Sequence, residues 1–182
     1  MPLMKPHKKK RMRSLNILSL ILLPLASKGC PFLRSQGHTE RMLQSDYITE
    51  LLDNHQDVDR SVSKNADGSI TTVTTSTRDE VGGWLQDHVA TMKARLERGG
   101  TPRPWDPFFV ALSDHHDEFD ATISNVNNPR GVKVDMRAST MCGQDLIDGH
   151  TAVVSKFVST GRVEAQKSHD APASCGSSSS GR

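Results

Sequence analysis

Aromatic residues make up only 4% of this 182-residue chain, too few to pave a stacking platform for sugars or single-stranded nucleic acid. Cysteine is scarcer still. Cys30, Cys142 and Cys175 are the whole supply, so a zinc site built from cysteine alone is excluded by count. No Cys-x-x-Cys pair occurs, nor the Cys-x-x-Cys-His run of covalent haem attachment. There is no Gly-x-Ser-x-Gly elbow and no glycine loop suited to a phosphate. No catalytic residue is assigned from the sequence, and an enzyme is disfavoured. The apolar stretch from Leu15 to Ala26 has 12 residues, well short of the roughly 20 that a transmembrane helix needs. Hydrophobic residues are 35% of the total, and part of that is spent in this stretch, so the remaining core is modest.

The formal charge of +2 is unevenly placed. Residues 1–29 carry seven Lys or Arg and no acid, which leaves 16 basic against 21 acidic residues and a net charge of −5 beyond them. A mildly acidic chain lacks the concentrated positive charge of a nucleic-acid binder. The leader itself has a basic start, the apolar stretch, and small residues Ser27 and Gly29 before Cys30, the layout of a signal peptide over residues 1–29. Export is therefore expected. Cys30 at the new N-terminus also resembles a bacterial lipoprotein site, although Ser27 and Lys28 depart from the usual residues there. Two outcomes stay open: a periplasmic protein cut near Cys30, or one lipidated at Cys30 and held peripherally on a membrane. Cys142 and Cys175 are left as candidates for a disulfide in an oxidising compartment.

Beyond a tether over residues 30–39, the chain reads as two repeats, 40–100 and 101–169. In the first, helical spacing of Tyr47, Ile48, Leu51, Leu52 and His55 is followed by a β-hairpin. Val58 and Val62 alternate with polar residues, with Arg60 interrupting the inward set. The turn Asn65–Gly68 leads into threonine-rich Ile70 to Ser76. A second helix follows, with Thr77 and Glu80 as a capping box and Val81, Trp84, Leu85, His88, Val89, Met92 and Leu96 on one stripe. In the second repeat Asp106-Pro107 is a helix start. Phe119 and Ile123 then match Val58 and Val62, while Val132, Val134, Met136 and Ala138 match Ile70, Thr72, Thr74 and Ser76. Its last helix carries Leu146, Ile147, His150, Val154, Phe157 and Val158, and lacks the capping box at Met141-Cys142. Residues 170–182 read as a disordered tail. The expected fold is α+β: two tandem helix–hairpin–helix repeats that lay four antiparallel strands into one sheet with helices on one face. A lone hairpin unit cannot bury both its sides.

Histidines keep register between the halves: His55 with His116, and His88 with His150. One reading makes them ligands for a transition metal or non-covalent haem, with His88 and His150 first and His55 and His116 supporting. The other makes them structural joints whose ring nitrogens bond neighbouring backbone. The first gives a non-enzymatic metal- or haem-binding module, the second a structural or partner-binding envelope protein with no cofactor. The neighbours His115 and His116 point apart on a helix and are a poor metal pair.

Leu85-Gln86-Asp87-His88, Trp105-Asp106-Pro107 and His150-Thr151-Ala152-Val153-Val154-Ser155 are the most specific parts of a wider likeness over residues 43–169. On these the chain resembles a group of small exported bacterial proteins of uncharacterised function. These carry tandem repeats with an Ile-Gln-x-His-like helix core. The resemblance implies export and duplication, and it adds no mechanism.

Overall fold

Strand β1, Val58–Lys64, and strand β2, Ile70–Ser76, form where β-branched residues and threonine cluster. Between them the Asp67 carboxylate accepts from Ser69 N at 3.1 Å and Ser69 Oγ at 2.6 Å, an Asx turn that reverses the chain. Gly68 supplies the positive φ of 81° that the reversal needs. Strands β3, Phe119–Asn127, and β4, Arg130–Ala138, make a second hairpin around Asn128-Pro129.

A computed structural model of the chain describes residues 47–176, which all belong to one compact unit. The leader, Cys30, the tether, the start of the first helix and residues 177–182 lie outside the described residues. The fold is α+β, and among the described residues it has a four-stranded antiparallel sheet in the order β1-β2-β4-β3 and five helices. Strands β2 and β4 join the two hairpins, with Ile70 opposite Met136, Thr72 opposite Val134 and Thr74 opposite Val132. Side chains alternate across a sheet, so these pairs share a face. On it Ile70, Thr72, Val132 and Met136 are buried.

The helices are α1 (residues 47–53), α2 (Asp79–Leu96), α3 (Pro107–Asp114), α4 (Met141–Thr160) and α5 (Arg162–Ala165). Short 3-10 turns at His55–Asp57 and His116–Glu118 lead into β1 and β3. Asp106 caps α3 as the sequence suggests, accepting from Phe108 N at 3.2 Å with Pro107 next. The other two caps are reversed from expectation. Helix α2 starts after Arg78 with no side-chain cap, so Thr77 and Glu80 form no capping box. Asp79 and Glu80 in its first turn favour the helix dipole instead. Helix α4, which lacks the box motif, is capped by Thr140 Oγ1, which accepts from Gly143 N at 2.9 Å.

Helix α2 reaches across to the second hairpin. A Cβ on Gly82 would stand 2.6 Å from Arg130 O, so the paired glycines let two backbones touch. Gln86 then donates to Val126 O at 3.1 Å and Gly131 O at 2.9 Å. Helix α4 reaches the first hairpin, with Gln144 donating to Gly68 O at 3.1 Å. Between helices and sheet the core holds Val81, Leu146 and Ile147, each at most 1% exposed. Each such side chain contributes about 1.5–3 kcal/mol by leaving water.

Cys142 and Cys175 are joined by a disulfide, with their Cα atoms 4.8 Å apart. This corrects the tail expectation for residues 170–176. The 3-10 turn Ala173–Cys175 is tied to α4 by that bond, and Ser174 Oγ donates to Asp145 at 2.6 Å. Among the described residues no helix is long and apolar enough to cross a membrane.

Candidate functional site

The apolar stripes of α2 and α4 converge on a cavity of about 310 Å³, at the lower end of the roughly 300–1,000 Å³ range of small-molecule sites. The inward sheet residues Thr72, Thr74, Val132, Val134 and Met136 line it on one side. Leu85 and Met92 of α2 with Val154 and Phe157 of α4 line the other. All four histidines in register between the halves, His55, His88, His116 and His150, line this one cavity.

They are not equivalent. His55 Nδ1 donates to Val158 O at 2.8 Å, and His116 Nδ1 donates to Ser113 O at 2.9 Å. A Cβ on Gly161 would meet the His55 ring at 2.5 Å, so His55 is wedged between its turn and the end of α4. These two behave as joints. Among the described residues His88 and His150 make no ring hydrogen bond, in contrast to His55, His115, His116 and His169. The fully buried side-chain polar atom left without a partner among these residues is Thr151 Oγ1. Among the described residues the His88 and His150 nitrogens are thus neither hydrogen-bonded nor fully buried, and both residues line the cavity.

Burial pushes the His88 pKa down to about 4, with the Arg95 charge adding to it. Burial likewise pushes His150 down to about 4, helped by the charges of Arg60 and then His88. Both rings are neutral at pH 7, the form that ligates a metal. Phe109 and the His150 ring pack in a T-shaped pair, with centroids 6.5 Å apart.

Arg60 is the residue that sequence reasoning passed over. Its interruption of the inward alternation in β1 was the signal. Its Nη1 donates to Thr74 Oγ1 at 2.6 Å and its Nε to Ser155 Oγ at 3.3 Å. Among the described residues no carboxylate forms an ion pair with it. Burial lowers its pKa to about 10, so it stays charged at pH 7.

The other clusters are accounted for locally. His115 Nδ1 donates to Glu118 Oε1 at 2.7 Å, away from the His116 bond, as adjacent helical residues require. Among the described residues the three-donor group within 4.8 Å is His115, Cys142 and Cys175. Its sulfurs are spent in the disulfide, so it offers no thiolate, and Cys142 forms no thiol pair with His150. Asp106, 0% exposed, accepts from His169 Nδ1 at 2.8 Å, and His169 Nε2 faces Glu164 Oε1 at 3.3 Å. Burial would raise the Asp106 pKa, but the His169 bonds and the charges of His169 and Arg103 outweigh it and hold it low. This carboxylate–imidazole pair meets a second carboxylate where a catalytic triad needs a hydroxyl. It fastens residue 169 to the start of α3. Comparison with protein-family models, curated proteins and solved structures finds no match.

Proposed function

We propose that this chain is an exported, non-enzymatic binding module that holds a metal-bearing cofactor between His88 and His150. One observation carries the reading: two neutral imidazoles from different helices, neither with a ring hydrogen bond among the described residues, line a single largely apolar cavity. Haem suits it better than a bare ion. A bare transition metal needs three or four protein donors, and no three of the cavity histidines come within 4.8 Å among the described residues. A tetrapyrrole brings four nitrogens of its own and asks only for axial ligands.

The leader pattern supports export, with Cys30 either lipidated or left by ordinary cleavage. We also read the fold as a pseudo-twofold pair of tandem repeats with helices on one face. Thr72 and Val134, equivalent positions of the two halves, pair directly with each other in the sheet. The pairs Val58–Ser76 and Phe119–Ala138 repeat the same hairpin register. Such an axis sets α2 and α4, and hence His88 and His150, on corresponding sides of one site. The rival is a structural or partner-binding envelope protein with no cofactor. The carbonyl bonds of His55 and His116 favour it, since they are joints rather than ligands.

Titration of the protein with haemin separates the two. The module binds stoichiometrically with a displaced Soret band, and His88→Ala or His150→Ala abolishes the displacement while far-ultraviolet dichroism is kept. No spectral change in the native protein, with stability lost in both variants, supports the rival.

A further inference from the structure

Arg60 is a cation placed on the apolar side of a sheet, where a valine or isoleucine is the expected occupant. It lies on β1 opposite Thr74 of β2, and it lines the same cavity as His88 and His150. A guanidinium has five N–H donors in a planar fork. Two of the contacts it makes are to hydroxyls, Thr74 Oγ1 at 2.6 Å and Ser155 Oγ at 3.3 Å. Ser155 Oγ itself donates to Thr151 O at 2.8 Å, so its lone pairs are turned to Arg60. These hydroxyls orient the fork without neutralising it. Five other arginines have ionic partners: Arg78 pairs with Asp57, Arg103 with Asp106, Arg130 with Asp79, Arg137 with Asp67 and Arg162 with Asp53; Arg95 and Arg98, at the end of α2, share with Arg60 the lack of an ion pair among the described residues.

A partly buried, unpaired charge is costly, and the surrounding groups increase the cost. His150 is near enough for the Arg60 charge to depress its protonation. The facing sheet residues Thr72, Val132 and Val134 are uncharged. Two carboxylates also line the cavity, Glu97 and Asp120; Glu97 pairs with Lys93, and among the described residues neither forms an ion pair with Arg60, whose planar fork matches a carboxylate in a two-pronged geometry.

We infer that the cavity takes a ligand with an apolar body and a carboxylate, and that Arg60, steadied by Thr74 and Ser155, is the group that binds the carboxylate. This rests on the cavity being a binding site but not on its holding a metal. The same chemistry is presented by the propionates of haem and by a fatty acid.

The test uses three probes on the native protein and on Arg60→Met: haemin, haemin dimethyl ester and dodecanoate, each titrated by absorbance or calorimetry. The expected result is that Arg60→Met weakens haemin or dodecanoate binding roughly ten- to hundredfold, the loss of a charge-assisted hydrogen bond. Ester binding is unchanged by the variant, which also shows that the variant is folded. On native protein alone, the acid outcompetes its ester by a similar factor, so the inference stands or falls even without the variant. If haemin and its ester bind native protein equally, or dodecanoate binding ignores Arg60, the carboxylate assignment is overturned while a displaced Soret band still supports His88 and His150. If dodecanoate needs Arg60 but haemin shows no displaced Soret band, the coordination reading fails and this inference stands. Failure of both acids to bind native protein overturns both.

Discussion

Acidification from pH 7 to pH 5 destabilises the ligand-free protein through His88 and His150. Both rings are held neutral in the native state, with pKa values near 4, against about 6.5 in the unfolded chain. Below pH 6.5 the unfolded state takes up protons first, so native stability falls with pH until the folded rings also protonate near pH 4. With those two values each ring loses about 2 kcal/mol of stability between pH 7 and 5. The pair loses about 4 kcal/mol if the two act independently, a large share of the roughly 5–15 kcal/mol that holds a domain together. The window is clean on its acid side. Asp106, Asp148 and Glu164 have lowered pKa values, and their contribution is lost only below the ordinary carboxylate range. The assay is urea unfolding at pH 7, 6 and 5, on native protein and on the double variant His88→Phe/His150→Phe, which fills the same space with groups that do not titrate. The native midpoint falls steeply and the variant's stays nearly level. A native midpoint that does not move, or an equal fall in the variant, refutes the assignment of these two rings as neutral in the native state.

Three further outcomes follow from the packing. Cys175→Ser opens a bridge with a sequence separation of 33, a constraint worth up to about 4 kcal/mol; thermal unfolding reads the loss, and limited proteolysis then cuts within 170–176. Gly82→Ala drives a Cβ to 2.6 Å from Arg130 O, an overpacking that costs about 1–3 kcal/mol and lowers the denaturation midpoint. An unchanged midpoint means that α2 does not sit on the second hairpin. Asp106→Ala removes the α3 cap and leaves Arg103 and His169 without their buried carboxylate, at a cost of about 3–5 kcal/mol, visible as accelerated hydrogen exchange at Phe108 and His169.

Both hairpins and both long stripes were legible in the sequence because alternation and helical spacing are local signals. Asp67-Gly68 announced its turn, and the stripe from Leu85 through Met92 announced the face that lines the cavity. The caps were not legible. A threonine followed three residues later by glutamate is a capping box only if the chain enters the helix at that threonine, and α2 enters one residue later, after Arg78. The role of Gly82 has no local signature, since nothing near it in sequence shows the Arg130 backbone that lies against it. The four histidines were visible as a repeated set, but their division was not. Whether an imidazole is a joint or an open ligand depends on carbonyls such as Val158 O, 103 residues from His55. Arg60 broke the inward pattern in plain view. Its meaning came only with the threonine and serine around it and its lack of an ion pair among the described residues. The link from His169 to Asp106 spans 63 residues and carries no local signature.

The central claim is that His88 and His150 hold a metal-bearing cofactor. Elemental analysis with a visible spectrum, on protein purified without a histidine tag from its native compartment, tests it most directly. The account predicts about one iron per chain and a Soret band that His88→Ala removes. A colourless, metal-free protein that also leaves the spectrum of added haemin unchanged contradicts it.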